Sequence, residues 1–368
     1  MADAALPWLR LIRSHAVGNA AALVLVRHFG DAQTTLDSSG SAWRKAGVER
    51  TPTSLIAEDD PEVLADLAWL RGAANRQLVS INDPRYPAEL VNINNPPLAL
   101  FVVGKTELLA QPQVAIVGSR AATPQGLENA RAFAAELARR GVIVTSGLAL
   151  GVDGAAHQGA LDGCGATIAV CGTGLDRVYP ARHKALAHVL VEQGGALVSE
   201  FAPRTAAVAS HFPRRNRVIS GLSLGVLVVE ASRDSGSLIT ARLAADQGRE
   251  VFAIPGSIHN PLSKGCHQLI RQGAKLVESV DDILLELAPR LGAWLREAKA
   301  AEAPVYSTAA DDPATATLFA ALTDAPRSVD SLIAQTGLPA EAINTALLTL
   351  ELDGRAGATA GGGYMRLR

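Results

Sequence analysis

The sequence predicts an α/β fold: a Rossmann-like, mostly parallel sheet core, with a small N-terminal helical module before it and a C-terminal winged-helix-like domain after it. Three observations predict this. From Val114 to Val277, short apolar runs rich in β-branched residues alternate with helical segments, the pattern of a parallel sheet covered on both faces. Up to about Leu70 the patterning is helical, broken by Gly and Pro. From Ala314 onward, helical segments are followed by a Gly-rich hairpin, which is the winged-helix order.

The 368 residues are too many for one ordinary core. The divisions fall at 1–75 for the helical module, 76–292 for an extended Rossmann-like domain, 293–313 for a linker and 314–368 for the winged-helix-like domain. A formal net charge of −2 argues against coating nucleic acid through bulk charge, so a polyanion would have to be held by a local patch. No apolar run approaches the ~20 residues that span a bilayer, and the start lacks a signal-peptide apolar region. A cytoplasmic protein without membrane contact is expected. Cys164, Cys171 and Cys266 are odd in number and lack CxxC spacing, so they read as reduced thiols with neither a disulfide nor a metal site.

In the helical module, Leu9–Ile12 and Ala20–Phe29 flank Val17-Gly18-Asn19, giving helix–Gly turn–helix (SAM or helix–hairpin–helix-like) character. Such turns contact the DNA backbone in some proteins and dock partners in others. Pro61–Leu70 makes another helix, with Asp59 or Asp60 as its cap. Gln77–Ile81 and Leu98–Val103, bounded by Pro-rich loops, read as strands added to the edge of the main sheet. Core strands are expected at Val114–Gly118, Val142–Ser146, Thr167–Cys171, Ala196–Ser199, Val226–Glu230, Val251–Ile254 and Lys275–Val277. Helices fall between them at Gln125–Arg139, Ala185–Glu192, Leu238–Gln247 and His267–Gln272, with Asp281–Leu291 closing the domain. The C-terminal helices, near Thr315–Leu322, Ser328–Thr336 and Pro339–Asp353, carry few basic residues, which favours protein docking over duplex DNA.

Ligands of parallel sheets bind beyond the C-terminal ends of the strands, and the motifs lie there. The first core strand runs into Gly118-Ser119-Arg120 and then a helix after Pro124. Free backbone N–H groups, the helix dipole and a permanently charged guanidinium suit phosphate. The alternative is a tight turn whose Arg120 only pairs with an acidic neighbour. The second strand ends in Ser146-Gly147, followed by Gly151-Val152-Asp153, where small residues let a ligand approach closely. Gly172-Thr173-Gly174 lacks the third glycine of a dinucleotide fingerprint, because Arg177 occupies its place, and no GxxxxGK[ST] loop exists. No cofactor is therefore expected. Arg182 and Lys184 extend the positive edge.

The most basic stretch, Arg204–Arg217, contains Phe212, Arg214, Arg215, Asn216 and Arg217 and no acidic residue. Guanidiniums beside an aromatic ring suit a groove that tracks a nucleic-acid backbone and stacks a base. Ser235, Gly236 and Ser237 follow the fifth core strand, with Ser235 as a helix cap and Gly236 exposing N–H groups to an anion. No catalytic set emerges. Ser119 lacks a GxSxG context, the histidines are scattered, and Asp153, Asp176, Glu200 and Glu230 read as caps. The chain reads as a binder, not an enzyme.

In this order, together with Tyr179-Pro180 and Ile254-Pro255-Gly256, these motifs resemble the DprA (Smf) family of bacterial DNA-processing proteins of natural transformation. The resemblance covers about Gln77 to Leu287, and the terminal modules resemble the family's three-domain arrangement. It implies a non-enzymatic homodimer, joined through the Rossmann-like domain, that binds and protects single-stranded DNA and loads RecA onto it. It also implies that Arg120 is the main phosphate ligand, that Gly118 and Ser119 offer donors beside it, and that Arg182 or Lys184 is a DNA contact. His183 and His267 stand where the family usually has Asn. The runner-up is a nucleotide-handling Rossmann-like enzyme such as a nucleoside-monophosphate phosphoribohydrolase, but Asp234–Thr240 lacks the Glu of that group's Gly-Gly-x-Gly-Thr-x-x-Glu motif.

Overall fold

The computed structural model describes residues 2–14, 17–49, 55–302, 313–323, 325–352, 355–358 and 363–366. The chain divides into two units, Met1–Trp294 and Leu295–Arg368, which are described separately.

The first unit opens with α1 (Ala2–Arg13), α2 (Gly18–Phe29), α3 (Ala32–Asp37), α4 (Gly40–Lys45) and α5 (Pro61–Arg71). Local chemistry sets their starts. Asp31 accepts from Thr34 N at the head of α3, and Ser39 accepts from Ala42 N at the head of α4. Of the two candidate caps for α5 it is Asp60 that serves, accepting from Glu62 N at 2.8 Å, with Pro61 in the first helical position. The helices close around Trp8, Leu25 and Trp43, and the Trp43 indole N–H donates to Thr35 O at 3.0 Å. A buried two-pronged pair, Arg13 on Asp66 with both bonds at 2.7 Å, ties α1 to α5.

The sheet consists of β1 (Arg76–Ser80), β2 (Ala99–Gly104), β3 (Gln113–Val117), β4 (Ile143–Ser146), β5 (Thr167–Val170), β6 (Ala196–Ser199), β7 (Gly225–Val228), β8 (Glu250–Ala253) and β9 (Lys275–Leu276). Its order is β1-β2-β6-β5-β4-β3-β7-β8-β9. The strands from β6 to β9 are parallel, and β1 and β2 join antiparallel at one edge, as their Pro-bounded sequences predict. The helices of this region are α6 (Ala88–Val91), α7 (Pro124–Arg139), α8 (Val152–Asp162), α9 (Lys184–Glu192), α10 (His211–Leu222), α11 (Ser237–Asp246), α12 (Lys264–Arg271) and α13 (Val280–Glu302). The central strands are apolar on both faces because both are covered. Val114 and Ile116 pack with α7, α8 and α13; Ala115 and Val117 pack with α6, α10, α11 and α12.

From β3 the chain winds outward through β4, β5 and β6. It then returns to the other side of β3 to lay down β7, β8 and β9. The β3–β7 gap is therefore the topological switch point, where helices leave to opposite faces and a crevice opens.

Two segments differ from the sequence reading. Arg204–Arg217 does not form one continuous groove, because its second half is the start of α10; Pro213 is tolerated in the first turn, where its missing N–H has no partner to lose. The helix expected over Asp281–Leu291 runs on to Glu302, into the stretch whose composition suggests a linker. Residues 303–312 lie outside the described residues.

The second unit holds α14 (Pro313–Ala321), α15 (Val329–Thr336) and α16 (Ala340–Leu352), then the antiparallel hairpin of β10 (Ala356–Ala358) and β11 (Tyr364–Arg366). Leu318, Leu332, Ile343, Leu347 and Leu350 form its core. Ser328 caps α15, and Gly337 at φ +69° ends it. The Phe319 ring takes the guanidiniums of Arg355 and Arg366 at 4.0 and 3.9 Å. This is a winged-helix domain; Asp353, expected at the end of its last helix, lies outside the described residues. Among the described residues no helix is long and apolar enough to cross a membrane. Cys171 and Cys266 are buried, Cys164 is exposed, and all three are free thiols.

Candidate functional site

The switch point carries the site. A pocket of about 810 Å³ opens there, with Arg120, Phe212, Arg215, Asn216, Ser237 and Thr240 among its lining residues. Gly118-Ser119-Arg120 follows β3 directly. Ser119 N donates to Glu230 O at 2.7 Å, and Val152 N donates to Ser119 O at 3.2 Å, so the turn is pinned between the end of β7 and the start of α8. A Cβ on Gly118 would sit 2.6 Å from Val152 Cγ2, which leaves room for glycine alone. The Arg120 side chain reaches out of the turn. It is exposed, its guanidinium stands 5.6 Å from the Phe212 ring centroid, and no carboxylate lies within ion-pair distance among the described residues. The alternative of an Arg120 occupied by an acidic neighbour therefore does not hold.

The expected phosphate seat at the head of α7 is already filled. Glu230 accepts from Thr123 N at 2.8 Å and from Thr123 Oγ1 at 2.7 Å, while Thr123 Oγ1 accepts from Gly126 N at 3.0 Å. Gly126 admits the carboxylate, since a Cβ there would lie 2.5 Å from Glu230 Oε2. The Ser119 backbone donor, expected on sequence grounds to serve an anion, is also spent; its hydroxyl remains. The other helix end at the pocket is that of α11, which no carboxylate among the described residues occupies, although Leu238 N and Ile239 N already donate to Ser235 O and Gly236 O. Ser235 Oγ accepts from Ser237 N at 3.4 Å and lies 2.7 Å from Ser237 Oγ, and Gly236 has open space where a side chain would be. The positive end of the α11 dipole thus faces the pocket.

Helical geometry divides the basic run. Phe212, Arg215 and Asn216 line the pocket, whereas Arg214 and Arg217, three residues apart, share the other side of α10. There both donate to Glu200 Oε2, at 2.9 and 2.6 Å. Those two arginines therefore do not stand in the switch-point pocket, and sequence order alone could not show the Glu200 partner. The Phe212 ring rests on Gly172, where a Cβ would lie 3.0 Å from it, and its centroid is 5.5 Å from that of Tyr179.

Arg215 is buried in the pocket floor. Its Nη1 donates to Gly147 O at 2.6 Å and also to Val170 O. A Cβ on Gly147 would lie 2.6 Å from this guanidinium. Burial lowers the Arg215 pKa from its ordinary value, against the pull of Asp153. Burial likewise raises that of Asp153, against Arg215 and the N–H groups of Ala149 and Gly147. Ser146 is fully buried and donates to Ile116 O at 2.7 Å. Gly147 is thus the seat of Arg215, Ser146 is tied to β3, and neither is part of the lining.

Arg182 and Lys184 are exposed, on the short turn Ala181–His183 and the first position of α9, and neither lines the pocket. His183, between them, donates from Nδ1 to Leu148 O at 2.8 Å. The lining also includes Ala207, Ala209, Ile239 and Thr240. Nothing in their types signals it; only the loop's return across the crevice does. Among the described residues no group of three His, Cys, Asp or Glu side chains could hold a metal ion.

Fold and pocket together define an α/β protein of Rossmann-like architecture with a cavity at the switch point of its sheet, a helical module before that domain in sequence and a winged-helix domain after it. The chain belongs to the DNA recombination-mediator protein A family, whose family model matches residues 77–288. The DprA-like N-terminal HHH domain matches 2–60, and the DprA winged helix domain matches 300–362. Protein Smf of Escherichia coli is 44% identical over 365 residues, covering 98% of this chain and 95% of that one. The DNA processing protein DprA of Streptococcus pneumoniae is 49% identical over 207 residues, covering 56% and 73%. The X-ray structure of the pneumococcal protein superposes with a TM-score of 0.63 at 36% identity, covering 76% of this chain and 97% of that one. A DNA processing protein A structure from Helicobacter pylori, described for its single-stranded DNA binding mode, gives a TM-score of 0.52 at 31% identity, covering 58% and 97%.

Proposed function

We propose that this protein binds and protects single-stranded DNA during natural transformation, without catalysis, and loads RecA onto it for homologous recombination. The observation that carries the reading is Arg120: an exposed guanidinium with no carboxylate partner, beside the Phe212 ring, at the switch point of the sheet. A phosphate at Arg120 also faces the start of α11 and the Ser119 and Ser237 hydroxyls. The buried Arg215 cation adds a positive floor, and Phe212 offers a face to a base. Arg182 and Lys184, both exposed, are read as contacts of the strand beyond the pocket. The named relatives support the DNA and transformation parts of the reading. Membership of the family supports RecA as partner and a homodimer through the Rossmann-like domain.

The test is filter binding of oligothymidylate across a salt series, with Arg120→Ala beside the unmodified protein. Affinity is expected to fall at least tenfold in the variant, and the salt slope to shrink by about 0.7 for each phosphate the variant no longer neutralises. Unaltered affinity and slope would overturn the site. RecA ATP hydrolysis on DNA precoated with each protein then reads the loading step, and release of free base from AMP would revive the enzyme alternative.

A further inference from the structure

On the far side of the α10 start, a second cavity of about 350 Å³ opens between the helical module and the carboxyl end of β6. Asn19, Glu200, Phe201, His211 and Arg214 stand in its wall. The His211 ring stacks on Phe201 with centroids 4.3 Å apart and planes 22° apart, and the Arg214 guanidinium is 5.2 Å from the Phe201 centroid. Two guanidiniums on the one Glu200 carboxylate leave a net positive charge. Of the two, Arg214 is the one solvent reaches, its side chain 48% exposed while that of Arg217 is buried.

Two residues of the lining carry a buried polar atom with no partner in the protein, Glu200 Oε1 and His211 Nδ1, and Arg217 on the same carboxylate carries a third at Nη1. Glu200 itself is more than nine-tenths buried and lines the cavity. Apolar packing does not leave such atoms behind, since each unmade bond is a penalty; a polar occupant of the cavity, ordered water or a ligand, accounts for those of Glu200 and His211. The α10 start has no side-chain cap and forms the ridge between the two cavities. On one side of the ridge a guanidinium and an aromatic ring face the switch-point pocket, as Arg120 and Phe212; on the other the same pairing recurs as Arg214 with the Phe201–His211 stack.

Resting on the reading of the first pocket as a single-stranded DNA site, the geometry points to the second cavity as a further nucleotide subsite. The strand crosses the head of α10, Arg214 turns from Glu200 to a backbone phosphate, and a base lies on His211. Arg217 stays on Glu200, so the carboxylate is never left buried without a cation. The helical module then forms one wall of the DNA path.

The experiment measures binding of oligothymidylates of increasing length, from a dinucleotide upward, to the full chain and to Arg214→Ala, Arg214→Lys and His211→Ala. Arg139→Ala, on the exposed end of α7, controls for bulk charge. Oligomers that fill only the first pocket are expected to bind the Arg214 and His211 alanine variants as they bind the unmodified protein. Longer ones bind these variants about tenfold more weakly, within the range of one stacked base, and Arg214→Lys recovers part of the difference. A weakening equal at every length, or one shared by Arg139→Ala, overturns the subsite. So does unchanged binding at every length while Arg120→Ala still weakens it, which leaves the first pocket standing. Binding indifferent to Arg120→Ala removes that reading, and the subsite falls with it.

Discussion

The Cα of Gly151 lies directly against the backbone carbonyls of Ser119 and Arg120: a Cβ there would fall 2.7 Å from Arg120 O and nearer still to Ser119 O. At φ +78° the position also disfavours any side chain. The turn that carries Arg120 is therefore placed by a glycine more than thirty residues away in sequence. Gly151→Ala should cost about 1–3 kcal/mol in stability. It should also weaken oligothymidylate binding although no ligand-facing group is touched. Urea unfolding and gel shift on the same preparation read both; intact binding with full stability would show that the turn does not depend on Gly151.

Arg215 offers a different kind of test, because its charge is buried and tied to two carbonyls. Arg215→Met keeps the bulk but leaves the Gly147 and Val170 carbonyls without this donor and Asp153 without its nearest cation. A destabilisation of about 3 kcal/mol is expected, the scale for breaking a buried charge cluster. Adding Asp153→Asn should recover part of it in a double-mutant cycle. Strict additivity would mean that the two groups do not interact.

Acid should destabilise the protein earlier than its carboxylates require. His157 is fully buried; Thr167 Oγ1 donates to Val144 O, so it accepts from His157 Nδ1–H at 2.8 Å, and Nε2 has no partner. Burial, helped by the positive charge of His183 and Arg215, pushes its pKa down to about 3. The unfolded chain binds this proton near pH 6.5 and the folded one does not. The contribution is thus complete above about pH 6.5 and disappears as pH falls towards 3, by up to about 1.4 kcal/mol per unit. Denaturant titrations at pH 7 and 5 should differ by about 2 kcal/mol from this group, and His157→Phe should remove that part. An unchanged difference in the variant would place the acid sensitivity elsewhere.

Glu230→Ala removes the carboxylate from the head of α7 and leaves the Thr123 donors without it. The expected cost is about 1–2 kcal/mol, as for removal of an N-cap. Glu230→Gln, which keeps an acceptor, should recover at least half. A neutral effect of the Ala change would show that water serves Thr123 equally well.

Most of the sheet is legible in the sequence because a doubly covered parallel strand must be apolar throughout, and Gln113–Val117, Thr167–Val170 and Ala196–Ser199 nearly are. The Gly118–Arg120 turn is legible for the same reason: it follows such a strand. What sequence cannot supply is pairing across the fold. Glu200 and Arg217 meet only because β6 and α10 bring them side by side, and Glu230 reaches Thr123 only because β7 lies next to β3. Three guanidiniums in four residues look like one surface when written in a line. On a helix of 3.6 residues per turn they point to different sides, and one of them is a floor instead of a rim. The small size of Ser146 and Gly147 suggests a ligand-facing place, yet Gly147 makes room for Arg215 and Ser146 bonds to β3 instead.

The carboxylate of Glu230 acts as a built-in tenant at the helix end where this architecture commonly receives a diphosphate. A free nucleotide arriving there meets a like charge and no vacant donors, so the abundant nucleotide pool of a cell gains little hold on the crevice. What remains is the neighbouring α11 end with the arginine and the ring. On the function proposed above, a polymer that brings several phosphates and bases at once gains more there than its own building blocks do, and the discrimination comes from an occupied position.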